Sequence, residues 1–171
     1  MHSNSSPIST TVSKVLDFAV VPGFSKIGFL IRKKLGGWSD ISDFDLTGKT
    51  VVITGPTSGL GAEVARLLAP TGAKLILVGR NPEKLAAMIA EIGPKCVAGK
   101  PESVIAEMGD LAAVRRACKD IQKLSSHIDV LIHNAGALLN SREVSTDGIE
   151  QTIASHVVGP YLMTSLLLPE L

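Results

Sequence analysis

A short β-branched run, Thr50-Val51-Val52-Ile53-Thr54, passes directly into Gly55-Pro56-Thr57-Ser58-Gly59-Leu60-Gly61 and then into a helical pattern. This junction constrains the fold more than any other part of the chain. A run of Val, Ile and Thr without polar alternation suits a strand covered on both faces, as in a parallel sheet. Leu60, Val64, Leu67 and Leu68 recur at helical spacing, and Pro70-Thr71-Gly72 ends the helix near Ala69. Each glycine of the turn has its own reason. Gly55 permits the tight exit from the strand, Gly59 lets the backbone approach a ligand closely, and Gly61 lets the helix pack against the sheet.

The alternation then repeats. Lys74 to Gly79 reads as a second strand. Asn81-Pro82-Glu83 reads as an N-cap, a proline at the first helical position and an acid suited to the helix dipole, opening a helix that runs to about Ile92. Val104 to Met108 is a weaker third strand, followed by helix from Leu111 to Leu124. Asp129 to His133 is a fourth strand, closed by Asn134-Ala135-Gly136, and Ile149 to Leu171 is helical by pattern with Gly159-Pro160 inside it. Strands alternating with helices in this way predict an α/β fold with a doubly wound parallel sheet over residues 46–171.

Residues 1–45 differ in character. The first ten are rich in Ser, Thr and Asn and are expected to be disordered. Residues 12–35 are apolar, interrupted by Pro22-Gly23, and predict two short helices or one bent helix, with Lys26, Arg32, Lys33 and Lys34 toward the end. Such a segment can lie on an anionic membrane surface as a peripheral contact, or pack against the sheet body or an oligomer partner. Both readings stay open at this point.

Composition removes several function classes. A chain of 171 residues, 45% hydrophobic and 19% charged, has room for one ordinary domain with a buried core. Its net charge of +1 gives no general electrostatic reason to bind nucleic acid. Cys96 and Cys118 stand outside any CxxC pattern and read as buried or idle thiols. His2, His127, His133 and His156 are scattered, without the spacing of a zinc site, so no metal is expected. Asn4-Ser5-Ser6 matches a glycosylation sequon. With no secretory signal and no stretch of about 20 apolar residues, it is read as chance and the cytoplasm as the default address.

The helix starting near Gly59 presents unpaired N–H groups and the positive end of its dipole, an arrangement suited to phosphates. The glycine spacing is GxxxGxG, led by Thr54. Val78-Gly79-Arg80-Asn81 ends the second strand, Asp110-Leu111 follows the third, and the fourth runs Val130-Leu131-Ile132-His133-Asn134-Ala135-Gly136. With these motifs in this order, residues 46–171 resemble the short-chain dehydrogenase/reductase family. Asn140-Ser141-Arg142-Glu143, Asp147-Gly148 and Gly159-Pro160-Tyr161-Leu162 look most like its members allied to retinol dehydrogenases and the DHRS group.

The resemblance implies a Rossmann-like fold that holds a nicotinamide dinucleotide through Thr54, Gly55, Thr57, Ser58, Gly59, Leu60, Gly61, Arg80, Asp110, Leu111, Asn134, Ala135 and Gly136. It implies an adenine hydrogen bond for Asp110, whose residue-level reading is an N-cap for the helix at Leu111; the two can coexist. Asn134 is expected to brace the central strand, with Ala135 and Gly136 leaving room for ribose. His133 stands where the family's Asn-Asn-Ala-Gly motif has its first asparagine. At the end of the second strand, where an NAD-selective site carries an acid, stand Gly79 and then Arg80. A guanidinium there can pair with a 2′-phosphate, so NADP(H) is expected over NAD(H).

His156 occupies the family's helix asparagine position, three residues before Gly159, and is a candidate to hold a water in the proton relay or else a structural histidine. The family's catalytic serine and Tyr-x-x-x-Lys pair are not in this sequence. Its one tyrosine, Tyr161, is followed four residues later by Ser165, and is expected to be a packing residue. The resemblance therefore implies an NADP(H)-dependent oxidoreductase acting on a carbonyl or secondary alcohol, a lipophilic one being compatible, present here as its cofactor-binding half and inactive alone. The alternative is a binding or interaction module without catalysis; a sugar epimerase is disfavoured by the glycine spacing. The sheet is expected to stop after the fourth strand and its helix, leaving an apolar edge that favours self-association. A homo-oligomer is compatible with the full-length protein.

Overall fold

The Val/Ile run Thr50–Thr54 forms β1, the strand around which the rest is arranged. The computed structural model describes residues 25–137 and 139–171. The chain divides into two units, residues 1–40 and 41–171. The expectations for residues 1–10 and 12–24 lie outside the described residues.

In the first unit, α1 (Lys26–Gly36) occupies the second half of the apolar run. Ser25 Oγ accepts from the Gly28 amide at 3.4 Å and caps its start. Gly37, at φ 60°, ends it in the left-handed conformation that glycine adopts without penalty. Among the described residues, no helix is long and apolar enough to cross a membrane.

In the second unit, β2 (Lys74–Gly79), β3 (Glu102–Ile105) and β4 (Val130–Ile132) join β1 in a sheet of order β3-β2-β1-β4. All three pairings are parallel, with Val52 opposite Ile76 on one side and Leu131 on the other. The helices α2 (Gly59–Leu68), α3 (Pro82–Ile92) and α4 (Leu111–Leu124) make the crossovers. Successive strand residues point to opposite faces, so the sheet builds two cores. Val51, Ile53, Leu75 and Leu77 pack with Leu85, Ile89 and Ile92 on the α2/α3 face. Val52, Ile76, Val78 and Val104 pack with Val114, Ile121, Met163 and Leu167 on the other. Each fully buried Ile or Leu contributes roughly 1.5–3 kcal/mol by leaving water.

Three elements differ from the expectation. β3 runs over Glu102–Ile105, two residues ahead of the predicted Val104–Met108. Its pairing partner β2 stops at Gly79, opposite Ile105, and the last bond is Ala106 N–H to the Gly79 carbonyl at 3.0 Å. Ala106 and Met108 are buried beyond the ladder, which is why their apolar pattern imitates a strand. β4 is shorter than Asp129–His133: before it the Asp129 carboxylate takes the Thr50 amide at 2.8 Å, and beyond it Thr54 Oγ1 takes the Asn134 amide at 3.1 Å. Its outer edge has no strand partner among the described residues.

The last helical stretch is composite: α5 (Gln151–Ile153), a π-helical turn Ala154–Val158, α6 (Gly159–Leu167) and a 3₁₀ turn Leu168–Glu170. Pro160 has no N–H to donate, and just before it the Gly159 amide reaches back to the Ala154 carbonyl, widening the turn. Tyr161 is not a packing residue: it stands 73% exposed on α6, on a face the core does not use.

Candidate functional site

Ligands of open parallel sheets bind at the carboxyl ends of the strands, where the order reverses. β1 has β2 and β4 as its neighbours, so the reversal falls beside β1, at Gly55. A cavity of about 530 Å³ opens there, within the range of small-molecule sites. It is lined by Gly55, Thr57, Ser58 and Leu60 from the turn, Gly79, Arg80, Asn81 and Lys84 beyond β2, Glu107 beyond β3, and Asn134, Ala135, Gly136 and Ala137 beyond β4.

Thr54, buried beneath the cavity, is the hub that joins β1 to β4. Its Oγ1 donates to the Ile132 carbonyl at 3.3 Å and accepts from the amides of Asn134 and Ala135 at 3.1 and 3.0 Å. Asn134 returns two bonds, its Nδ2 donating to the carbonyls of Thr54 at 3.2 Å and Gly55 at 2.9 Å. A buried threonine and one asparagine thus lock the end of β4 to the glycine turn. Gly55, at φ 66°, lies so close that an added Cβ would stand 2.8 Å from Ala135 Cα.

The start of α2 is left open. Ser58 is its N-cap residue but makes no side-chain capping bond. Gly59 is left-handed at φ 53°, and nothing lies within 4 Å of where its Cβ would be. By contrast, Asn81 Oδ1 caps α3 through the Lys84 amide at 2.8 Å, and Asp110 Oδ1 caps α4 through the Ala113 amide at 3.0 Å. Thr54, Gly59, Gly61, Asp110, Leu111 and His156 lie outside the cavity lining. The Leu111 amide donates to Asp147 Oδ2 at 3.1 Å.

Arg80 stands at the rim, its Nη1 donating to Glu107 Oε2 at 3.1 Å. His156 sits in the π-helical turn with its Nε2 2.8 Å from the Ala137 amide and 3.1 Å from the Ala137 carbonyl. The ring lies against Gly136, whose Cβ would come 2.7 Å from the imidazole, so a larger residue there would have to move the His156 side chain. Ser155, buried beside it, donates to the Gln151 carbonyl at 2.8 Å and lines the cavity floor.

Lys84, Glu107, Ala137 and Ser155 line the cavity without having been singled out in the sequence, and Asn81, read there as a helix cap in the strand-end motif, lines it too. For Asn81 and Lys84 the signal was present: they open the helix that follows Arg80 directly. Glu107 was hidden by the placement of β3, since a strand ending at Met108 would hold residue 107 inside the ladder.

A parallel sheet flanked by helices, with a glycine turn at its switch point and an open helix start, defines a Rossmann-like α/β domain. Residues 49–171 match the short chain dehydrogenase family, and the chain belongs to it. It is 34% identical over 168 residues to dehydrogenase/reductase SDR family member 7B of Bos taurus, covering 92% of this chain and 51% of that protein. It is 34% identical over 143 residues to human retinol dehydrogenase 11, covering 82% of this chain and 44% of that one. Among solved structures it is similar to the RhlG/NADP active-site complex of Pseudomonas aeruginosa, with a TM-score of 0.63 and 28% identity over 75% of this chain and 50% of that one. The chain spans about half the length of the curated relatives it matches.

Proposed function

We propose that the cleft at the end of β1 binds NADP(H), and that the chain is the cofactor-binding half of a short-chain oxidoreductase. The observation that carries this reading is the start of α2, where amide donors without helical acceptors meet open space at Gly59. Gly55 to Gly61 would receive the pyrophosphate and Asn134 to Gly136 the nicotinamide-side ribose; Asp110 and Leu111, which open α4 outside the cavity lining, are not assigned the adenine. Arg80, 70% exposed at the rim, is the cation available to a 2′-phosphate. When bound, the nicotinamide supplies the hydride acceptor or donor for a carbonyl or secondary alcohol; the likeness to retinol dehydrogenase 11 favours a lipophilic one.

Saturable NADPH binding by the 171-residue chain, followed by the fluorescence of the reduced nicotinamide, tests this. Gly59→Glu, which puts an anion where the pyrophosphate would lie, is expected to abolish it. Failure of the wild-type chain to bind NADPH or NADH would refute the reading.

A second reading is binding without catalysis, since these residues contain no Tyr-x-x-x-Lys pair: the one tyrosine, Tyr161, is followed four residues later by Ser165, whose hydroxyl donates to the Tyr161 carbonyl at 2.9 Å. On either reading, carbonyl reductase activity is not expected from these residues alone.

A further inference from the structure

The ion pair between Arg80 and Glu107 bridges two strand ends across the cleft. Arg80 follows β2 and Glu107 follows β3, and their charged atoms meet at 3.1 Å among the residues that line the cavity. The same carboxylate takes the Gly109 amide on its other oxygen, Oε1, at 3.4 Å, which fixes the direction from which it approaches Arg80. Both side chains are open to solvent, Arg80 at 70% and Glu107 at 38%, so neither is held by burial. An incoming anion meets a guanidinium already paired with a carboxylate of its own chain. Lys84, at the opening of α3, is the second cation of the lining.

We propose that Glu107 determines cofactor selectivity: a 2′-phosphate gains Arg80 only by displacing the Glu107 carboxylate. This rests on the reading of the cleft as an NADP(H) site. A dianionic phosphate brought to Arg80 lies within a few ångströms of Glu107, and like charges at that range repel. NADH carries no phosphate there and leaves the pair intact. Glu107 therefore works against NADPH and is neutral toward NADH, lowering a preference that Arg80 alone would make larger. The position differs from the end of β2, where an acid selects NAD by binding the ribose hydroxyls.

The test compares NADPH and NADH affinities of wild type, Glu107→Gln, Arg80→Ala and the double variant. Glutamine keeps an oxygen for the Gly109 amide and removes the charge, and unchanged circular dichroism and melting confirm the fold. Glu107→Gln is expected to tighten NADPH roughly threefold to tenfold, the scale of an exposed charge pair with added repulsion, and to leave NADH within about twofold. The gain is expected to vanish in the double variant and to shrink at high salt. If Arg80→Ala weakens NADPH while Glu107→Gln leaves it unchanged or weaker, the Glu107 assignment falls and the site reading stands. NADPH binding indifferent to Arg80 overturns both.

Discussion

The side-chain amide of Asn134 donates to the Gly55 carbonyl at 2.9 Å, tying the end of β4 to the turn that leaves β1. Its second proton goes to Thr54, so both partners are carbonyl oxygens and the amide orientation is determined by them. Asn134→Asp replaces two donors with lone pairs facing two carbonyls, and should cost more than Asn134→Ala. About 1–3 kcal/mol is expected for the loss, measured by urea denaturation. An aspartate variant as stable as wild type would remove Asn134 from this role.

Gly59 and Gly61 stand two residues apart and should respond to alanine for opposite reasons. Gly59 is left-handed with open space around it, so Gly59→Ala meets only the backbone penalty of about 1–2 kcal/mol. Gly61 lies inside α2, where alanine is favoured over glycine by about 1 kcal/mol. Yet its Cβ would fall well inside contact distance of the Gly55 carbonyl and Asn134 Nδ2. Overpacking against backbone reverses the sign, and Gly61→Ala should be the less stable of the two. Parallel denaturation curves decide; a stabilised Gly61→Ala would show that the turn relaxes freely.

How far the sequence reached follows from which interactions are local. The bounds of β1, β2, α3 and α4, and the caps Asn81 and Asp110, depend on residues within a few positions and agree with the structure. The glycine turn was legible because a strand, three glycines and a helix occur in one short stretch. β3 was displaced because its ends are set by the register against Gly79, which no local pattern records. The π-helical turn before Pro160 and the seating of His156 against Gly136 depend on packing between distant segments. Glu107 faces Arg80 across 27 positions, and nothing in its neighbours announces that pairing.

Asp129 supplies a pH dependence with a definite sign. Lys49 Nζ lies 2.9 Å from its Oδ1 and the Thr50 amide 2.8 Å from its Oδ2, and these bonds hold its pKa below the usual 3.8. A carboxyl depressed in the folded state stabilises fully above its unfolded pKa, and that stabilisation is lost as pH falls through the folded value. Asp129→Asn should therefore be less stable at neutral pH and lose less below about pH 4. Urea midpoints across the acid range read the difference in slope. Identical slopes in both proteins would contradict it.

His133 acts in a higher window. Thr164 Oγ1 spends its proton on the Pro160 carbonyl at 2.9 Å, so at 2.8 Å it accepts from His133 Nε2, which carries the ring proton. Partial desolvation by the packed neighbours pushes the imidazole below its ordinary 6.5. The unfolded chain thus protonates first as pH falls through 6.5, and stability declines from there until the folded pKa is reached. His133→Asn, the residue the family resemblance places here, should flatten the decline in stability that begins as pH falls below about 6.5. A variant with the same slope would show that another group carries this limb.

Cys118 reports on the helix packing that covers the sheet. It is 2% exposed between α4 and α6, with its Sγ 4.0 Å from the Met163 carbonyl. Burial, with a smaller push from the Glu170 carboxylate and a partial offset from Arg115, raises its thiol to about 11. At pH 8 roughly one molecule in a thousand then carries the reactive thiolate, before any steric protection. In a Cys96→Ser background, Cys118 should resist a thiol reagent such as DTNB in native buffer and react at once in denaturant. Because labelling needs α6 to lift from α4, the native rate should rise steeply with urea and fall when the core is tightened. Native labelling as fast as that of a free thiol would mean that α6 does not stay seated on α4.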